Sequence, residues 1–111
     1  MAGHGTTSPF DIHNPLVAAG PDLKSGAIVD VPSSNVDLAP TLLHLRGIEA
    51  PETMDGRVLL EALDAGPDPD SVVVAVDQAR MSRDDGAYAV TAATSSAGDA
   101  TYLDYTIVER P

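Results

Sequence analysis

A run of aspartate, proline and glycine, Asp64 to Asp70 (DAGPDPD), interrupts the middle of the chain. Two prolines and a glycine so close together are incompatible with a continuous helix or strand. The hydrophobic pattern also changes at this run, from a helical repeat before it to β-branched and alternating segments after it. The run therefore divides the 111 residues into two differently folded parts, although the length allows only one domain.

The part after the run is predicted to be rich in β-structure. Ser71 to Val76 is apolar and largely β-branched, as expected for a strand. Ala87 to Thr94 and Thr101 to Val108 alternate between apolar and polar residues, and the turn-forming stretch Ser95 to Asp99 lies between them. We therefore expect a strand followed by a C-terminal β-hairpin.

The part before the run mixes short strands with a helix. Pro15 to Ala19 is short, continuous and apolar, which predicts a buried strand, and Ala27 to Val31 predicts a second short strand. Val36 to Leu45 has a mostly apolar stripe at helical spacing, with Pro40 near its first turn, where a proline is tolerated. Arg57 to Leu63 is expected to form one or two helical turns.

The charge balance excludes some classes of partner. Seventeen acidic against six basic residues give a net charge of −11. Such a chain cannot neutralise a row of phosphates, so we expect neither nucleic-acid binding nor attraction to an anionic membrane. No cysteine is present, which excludes disulfides, thiolate metal sites and cysteine nucleophiles. The compartment is left open by these observations.

Few residues offer chemistry on their own. His4 lies between two glycines, which allow an imidazole to approach a metal ion or phosphate closely, although a tag-like terminus would look the same. His13 suits a capping group or a second-layer donor, and His44 a helix surface. Asp37 lies in the first turn of the predicted helix, where a carboxylate is favourable as a cap. The residues alone do not indicate a complete set of catalytic groups.

Two longer stretches carry recognisable motifs. The first comprises GHG at residues 3–5 and PFDIHNPLVAAGPDLK at residues 9–24, and the second NVDLAPTLLHLRGI at residues 35–48 and MDGRVL at residues 54–59. Together they resemble the C-terminal part of the alkaline phosphatase superfamily, closest to its sulfatase and type I phosphodiesterase/nucleotide pyrophosphatase branch. The second motif is a structural one in that family, where it packs a helix on the sheet.

The resemblance implies an activity and a single site residue. Members of the superfamily are large α/β sandwiches that hydrolyse phosphate or sulfate esters with a Thr, Ser or formylglycine nucleophile and one or two metal ions. The glycine-flanked histidine is a metal ligand there, and this role falls on His4. The implied cofactor is a divalent metal, zinc in the first place, with manganese or calcium as alternatives.

The resemblance also implies a fragment. It covers about residues 3–63, and the family's nucleophile and other metal ligands lie upstream of the matching histidine. We therefore expect a partial alkaline-phosphatase-like α/β sandwich, with a few strands, one or two helices and a C-terminal β-hairpin. Residues 1–66 would end the catalytic domain and residues 67–111 would form its β-rich tail. The metal site would be incomplete and the chain inactive alone, and its partner would be the missing N-terminal part of the hydrolase or a second copy.

The alternative is a small, independent, acidic α/β module that binds a protein partner. This interpretation requires a closed apolar core of its own. The residues expected to form that core are Leu16, Val17, Ile28, Val36, Leu42, Leu43, Val72 and Val74.

Overall fold

A computed structural model describes residues 5–110 of the chain. It contains one α-helix and three strands: α1 (Leu38–Leu45), β1 (Val74–Arg83), β2 (Tyr88–Ala97) and β3 (Ala100–Glu109). Short 3-10 turns occur at Asn35–Asp37, Leu60–Ala62, Pro69–Ser71 and Asp84–Gly86. The prediction of a small α/β fold with a C-terminal hairpin is confirmed. No helix in residues 5–110 is long and apolar enough to cross a membrane.

The strands form one antiparallel sheet in the order β1-β2-β3. The hairpin is longer than the sequence indicated, because β2 and β3 pair as far as Ala97 and Ala100 and leave only Gly98 and Asp99 as the loop. Gly98 has a φ of +59°, which a tight two-residue hairpin turn requires. β1 also extends beyond the predicted strand, since its polar second half pairs fully with β2.

A β-bulge interrupts the hairpin near its middle. Ala93 pairs with Tyr105, but the next residue, Thr94, pairs with Leu103, so Asp104 is an extra residue in β3. The Ser95 hydroxyl donates a hydrogen bond to the Asp104 carboxylate over 2.7 Å. A bulge bends a strand and redirects a side chain, and here it directs Asp104 toward the central strand.

Small residues of the central strand are buried beneath longer side chains of its neighbours. Ala93 pairs directly with both Gln78 and Tyr105, and the Gln78 amide donates to the Tyr105 hydroxyl over 3.3 Å. Further along the sheet, the Arg80 guanidinium reaches Glu109 over 2.7 Å. These contacts join the two edge strands across β2, which explains why Ala93 is buried in so thin a structure.

The prediction of two strands before the helix is wrong. Residues 15–19 and 27–31 contain no assigned strand, and Val17 and Ile28 are 90% and 86% exposed. Their apolar composition suits a sheet, but a strand also needs a hydrogen-bonded neighbour. Within residues 5–110 no strand lies beside either segment. The only pairing in this part of the described chain is a single bridge between Leu23 and Leu63.

The closed apolar core that an independent module would require was predicted from eight residues, and this prediction is also wrong. Leu16, Val17, Ile28, Val36, Leu42 and Val74 are all exposed. The chain has an accessible surface of 8514 Å², whereas a folded monomer of 11.4 kDa should expose about 5,800 Å². Its radius of gyration is 17.0 Å, against about 13 Å for a compact chain of this length. A large apolar surface is therefore left uncovered.

Candidate functional site

A network of buried polar contacts is centred on Asp37, at the start of the helix. Ser34 precedes the first turn and Asp37 is its third residue, the spacing of a capping box. One Asp37 carboxylate oxygen accepts the Ser34 amide over 2.7 Å, and the other accepts the Arg57 amide over 2.8 Å. The side chain is completely buried. The interpretation of Asp37 as a capping residue is confirmed, and the same carboxylate also binds a distant loop.

That loop can approach the helix start because of a glycine. A Cβ atom at Gly56 would lie 2.0 Å from the Val36 carbonyl oxygen, which is sterically impossible. Thr41 then secures the loop one turn later. Its hydroxyl donates to the Asp37 carbonyl over 2.7 Å and accepts the Leu59 amide over 3.0 Å. The second sequence motif is therefore a structural clamp that holds residues 56–59 against the start of the helix.

Arg57 joins this clamp to the sheet. Its Nε donates to the Tyr102 hydroxyl over 2.9 Å, and one Nη donates to the Pro32 carbonyl over 2.8 Å. The guanidinium also forms a two-pronged ion pair with Glu61, at 2.9 and 2.6 Å. We call Asp37, Thr41, Arg57, Glu61 and Tyr102 the polar cluster. Sequence reasoning missed Arg57 and Glu61, although their spacing of four residues was a usable signal.

The contacts within the polar cluster favour the ionised forms of both Arg57 and Glu61. The hydrogen bonds that Arg57 donates to Glu61 raise the pKa of Arg57 despite its partial burial. Burial acts to raise the pKa of Glu61, but the contacts with Arg57, together with a backbone hydrogen bond and the charge of Lys24, leave that pKa below the usual value. Burial also raises the pKa of Tyr102, opposed by its bond from Arg57. Arg57 and Glu61 are thus ionised and Tyr102 is neutral near neutral pH.

A second anchor holds the segment before the helix. The Lys24 ammonium donates to the carbonyl oxygens of Leu63 and Gly66, the latter over 3.1 Å, and the Lys24 amide donates to the Ala62 carbonyl over 3.0 Å. Gly66 is required here because a Cβ would lie 1.7 Å from the Leu60 carbonyl oxygen. Lys24 therefore caps the 3-10 turn at residues 60–62 and has a structural role.

An open cleft of ≈ 840 Å³ separates the segments before the helix from the hairpin. Its carboxylates are those of Asp30, Asp37, Asp55, Asp99 and Asp104, and its other polar lining residues include His13 and Asn14. In the part of the chain that the structure describes, no three Asp, Glu or His side chains come close enough together to hold a metal ion. These residues do not by themselves fit the metal centre that the resemblance implies.

The three histidines have different outcomes. His4, the predicted metal ligand, lies outside the described residues, so its role stays a prediction. His13 is exposed at the edge of the cleft, and no metal-binding cluster formed by residues 5–110 includes it. His44 is exposed on α1, as expected for a helix-surface residue. Neither His13 nor His44 lies in the polar cluster.

Comparison with known proteins gives two relatives. The chain is 41% identical over 54 residues to the extracellular sulfatase SULF-1 homolog of Drosophila melanogaster, a match that covers 49% of this chain and 5% of that protein. It is 38% identical over 61 residues to the putative extracellular sulfatase Sulf-1 homolog of Caenorhabditis elegans, covering 55% of this chain and 9% of that protein. No family model matches, and no solved structure matches significantly.

These matches bear on half of the chain. They support a sulfatase-like relationship within the alkaline phosphatase superfamily, as the motifs of the first 63 residues indicated. They do not distinguish its phosphodiesterase/nucleotide pyrophosphatase members. The chain spans less than a tenth of the length of either relative.

Proposed function

We propose that this chain is the C-terminal piece of a metal-dependent hydrolase of sulfate or phosphate esters and is inactive alone. The similarity to two sulfatases carries the proposal. Because both relatives are named sulfatases, sulfate esters are the first substrate class to test, and phosphate mono- and diesters come second. The nucleophile and the other metal ligands would come from a partner that supplies the N-terminal part of the hydrolase domain.

The exposed surface supports a partner of this kind. The chain exposes roughly 2,700 Å² more than a compact monomer of its mass would. A standard stable interface buries about 800 Å² on each partner, and obligate interfaces bury more, so the excess is large enough for such an interface. Its apolar part includes Val17 and Ile28, in the two segments whose composition suits strands but which have no described neighbour. A partner sheet would provide the missing hydrogen bonds.

The residues of the chain would then have two roles. The polar cluster and Lys24 would hold the loops that face the partner, without touching the ester. His4 would donate one imidazole nitrogen to the metal ion, which we propose to be zinc, with manganese or calcium as alternatives. Bound metal would supply charge neutralisation at the transferred group. An isolated histidine binds such an ion weakly, since catalytic zinc usually has three protein ligands.

Calorimetric titration of the isolated chain with zinc and manganese tests the incomplete site. We expect weak binding that His4→Ala leaves nearly unchanged, with His44→Ala as the matched control on the helix surface. Tight binding that is lost only in His4→Ala would show that the chain assembles a complete metal site, and would contradict the proposal.

A chimera tests the catalytic assignment. Residues 3–63 of this chain, which carry the two motifs, would replace the corresponding segment of the Caenorhabditis elegans relative. We expect the hydrolysis of sulfate esters to persist in the chimera and to be abolished by His4→Ala but not by His44→Ala. A folded chimera whose turnover is unaffected by His4→Ala would rule out the ligand role of His4.

A further inference from the structure

The two outer strands of the sheet differ in how their free edges are protected. β3 carries a bulge at Asp104 in its pairing with β2, and the N-terminal segment contacts its outer edge, because the Thr106 amide donates to the Thr7 carbonyl over 2.7 Å. β1 has no bulge and contains neither proline nor lysine. All ten of its residues are exposed, with Val76 and Met81 at 79% and 80%.

Unprotected edges of this length are unusual in monomeric proteins. An edge strand presents a row of unpaired amides and carbonyls, and natural sheets block it with lysine, proline, bulges or a covering segment. β1 has no proline, lysine or bulge, and in residues 5–110 no segment lies against its outer edge, so its protection is limited to the charges of Asp77, Arg80 and Arg83. The edge is therefore suited to pairing with another strand.

The charges of β1 distinguish it from the rest of this acidic chain. It contains one acidic residue, Asp77, and two basic residues, Arg80 and Arg83. A strand with this pattern is complementary to an antiparallel copy of itself. Asp77 is exposed and its carboxylate accepts only the neighbouring Gln78 amide, while Arg83 is exposed and binds no carboxylate among the described residues.

We propose that two copies of this chain associate through β1, antiparallel and around a two-fold axis normal to the sheet. Such an axis keeps each face continuous and joins residues whose numbers differ by an even amount. With the axis at Arg80, Asp77 lies opposite Arg83 of the second copy and Ala79 lies opposite Met81. The result is a six-stranded sheet with two symmetric charge pairs.

This register places Arg80 opposite itself, which would be unfavourable for two free guanidinium groups. The Arg80 guanidinium is not free, however, because its Nη2 lies 2.7 Å from a Glu109 carboxylate oxygen on β3. The ion pair draws the positive charge across β2 and away from the outer edge. The second copy therefore meets a neutralised Arg80. The inference uses only the sheet and does not depend on the proposed hydrolase function.

Charge reversal across the two-fold axis tests the interface in the full chain. Analytical ultracentrifugation over micromolar to submillimolar concentrations should show a monomer–dimer equilibrium for the wild type. Asp77→Arg and Arg83→Asp should each raise the dimer Kd by about tenfold, because each leaves two like-charge pairs. The double variant Asp77→Arg/Arg83→Asp should restore the wild-type Kd. Glu52→Arg and Arg46→Asp make the same charge changes on exposed loop residues and should have no effect.

Hydrogen exchange of the wild type provides a test that needs no variant. Exchange protection of the β1 amides should increase with protein concentration, while that of β2 should not. The proposal is overturned if the chain is monomeric throughout, if neither single variant weakens the dimer, or if the double variant stays as weak as the singles. Concentration-independent exchange of β1 would also overturn it.

Discussion

In the N-terminal part, residues 5–73, buried side chains bind the backbone amides of loops, whereas in the sheet, residues 74–109, backbone groups of neighbouring strands bind each other. The buried residues of the N-terminal part include polar and charged ones, Asp37, Thr41 and Glu61, as well as apolar ones. Many of its other apolar side chains, such as Val17 and Ile28, face outward.

The stability of the two parts therefore depends on different kinds of contact. The sheet is stabilised by contacts between residues that are close in sequence. The N-terminal part is held together by a few long-range polar contacts, so single substitutions in the polar cluster should matter more than any in the sheet. Its outward apolar surface gains stability only when something covers it.

The largest expected effect is that of Gly56→Ala, which attacks the N-terminal part at its closest backbone approach. The added Cβ would overlap the Val36 carbonyl oxygen at 2.0 Å. We expect the free energy of unfolding to fall by about 3 kcal/mol or more, measured by denaturant titration. Gly20→Ala is the matched control, since its Cβ would meet only Leu23 at 3.9 Å. Equal stability of the two variants would contradict the clamp.

The two ion pairs found within residues 5–110 sharpen the comparison further. Arg57 and Glu61 are 19% and 3% exposed, whereas Arg80 and Glu109 are 56% and 59% exposed. Arg57→Met leaves a buried carboxylate without its partner, so we expect a loss of about 3 kcal/mol in unfolding free energy. Arg80→Met should cost about 0.5 kcal/mol or less, since exposed pairs contribute little. The reverse order would show that the polar cluster does not stabilise the fold.

Thr41→Val should have an intermediate effect. The substitution keeps the shape of the side chain but removes the acceptor of the buried Leu59 amide, which lies 3.0 Å from the hydroxyl. We expect a loss of about 2 kcal/mol in unfolding free energy. Thr41→Ser retains the hydroxyl and should be closer to the wild type. A Thr41→Ser loss as large as that of Thr41→Val would assign the effect to packing.

The smallest effect should appear in the pH dependence. The pKa of Glu61 is lower in the folded chain than its unfolded value of 4.5. Ionised Glu61 therefore contributes stability above pH 4.5, and this contribution is lost as the pH falls through the lower folded-state pKa. Glu61→Gln should flatten this part of the stability profile, measured by thermal unfolding between neutral and acidic pH. An unchanged slope would mean that another carboxyl group causes the acid sensitivity.

The sequence predicted some of these features well and others poorly, for physical reasons. The helix and the hairpin were predicted because caps, periodicity and turn residues act over a few positions. The predictions of strands at residues 15–19 and 27–31 were wrong because a strand needs a hydrogen-bonded neighbouring strand, which local composition does not reveal. The contacts of Arg57 with Tyr102 and Pro32 span 45 and 25 positions, and no local pattern indicates them. The role of His4 stays a prediction.

Hydrogen exchange of the full chain, resolved by mass spectrometry at low protein concentration, tests the contrast most directly. We expect the amides of β2 to be protected and those of residues 16–19 and 27–31 to exchange at nearly the rate of an unfolded chain. That result would agree with an N-terminal part whose exposed segments gain their strand neighbours only from a partner chain. Protection of both segments equal to that of β2 would mean that the chain completes its own fold, and would contradict the account.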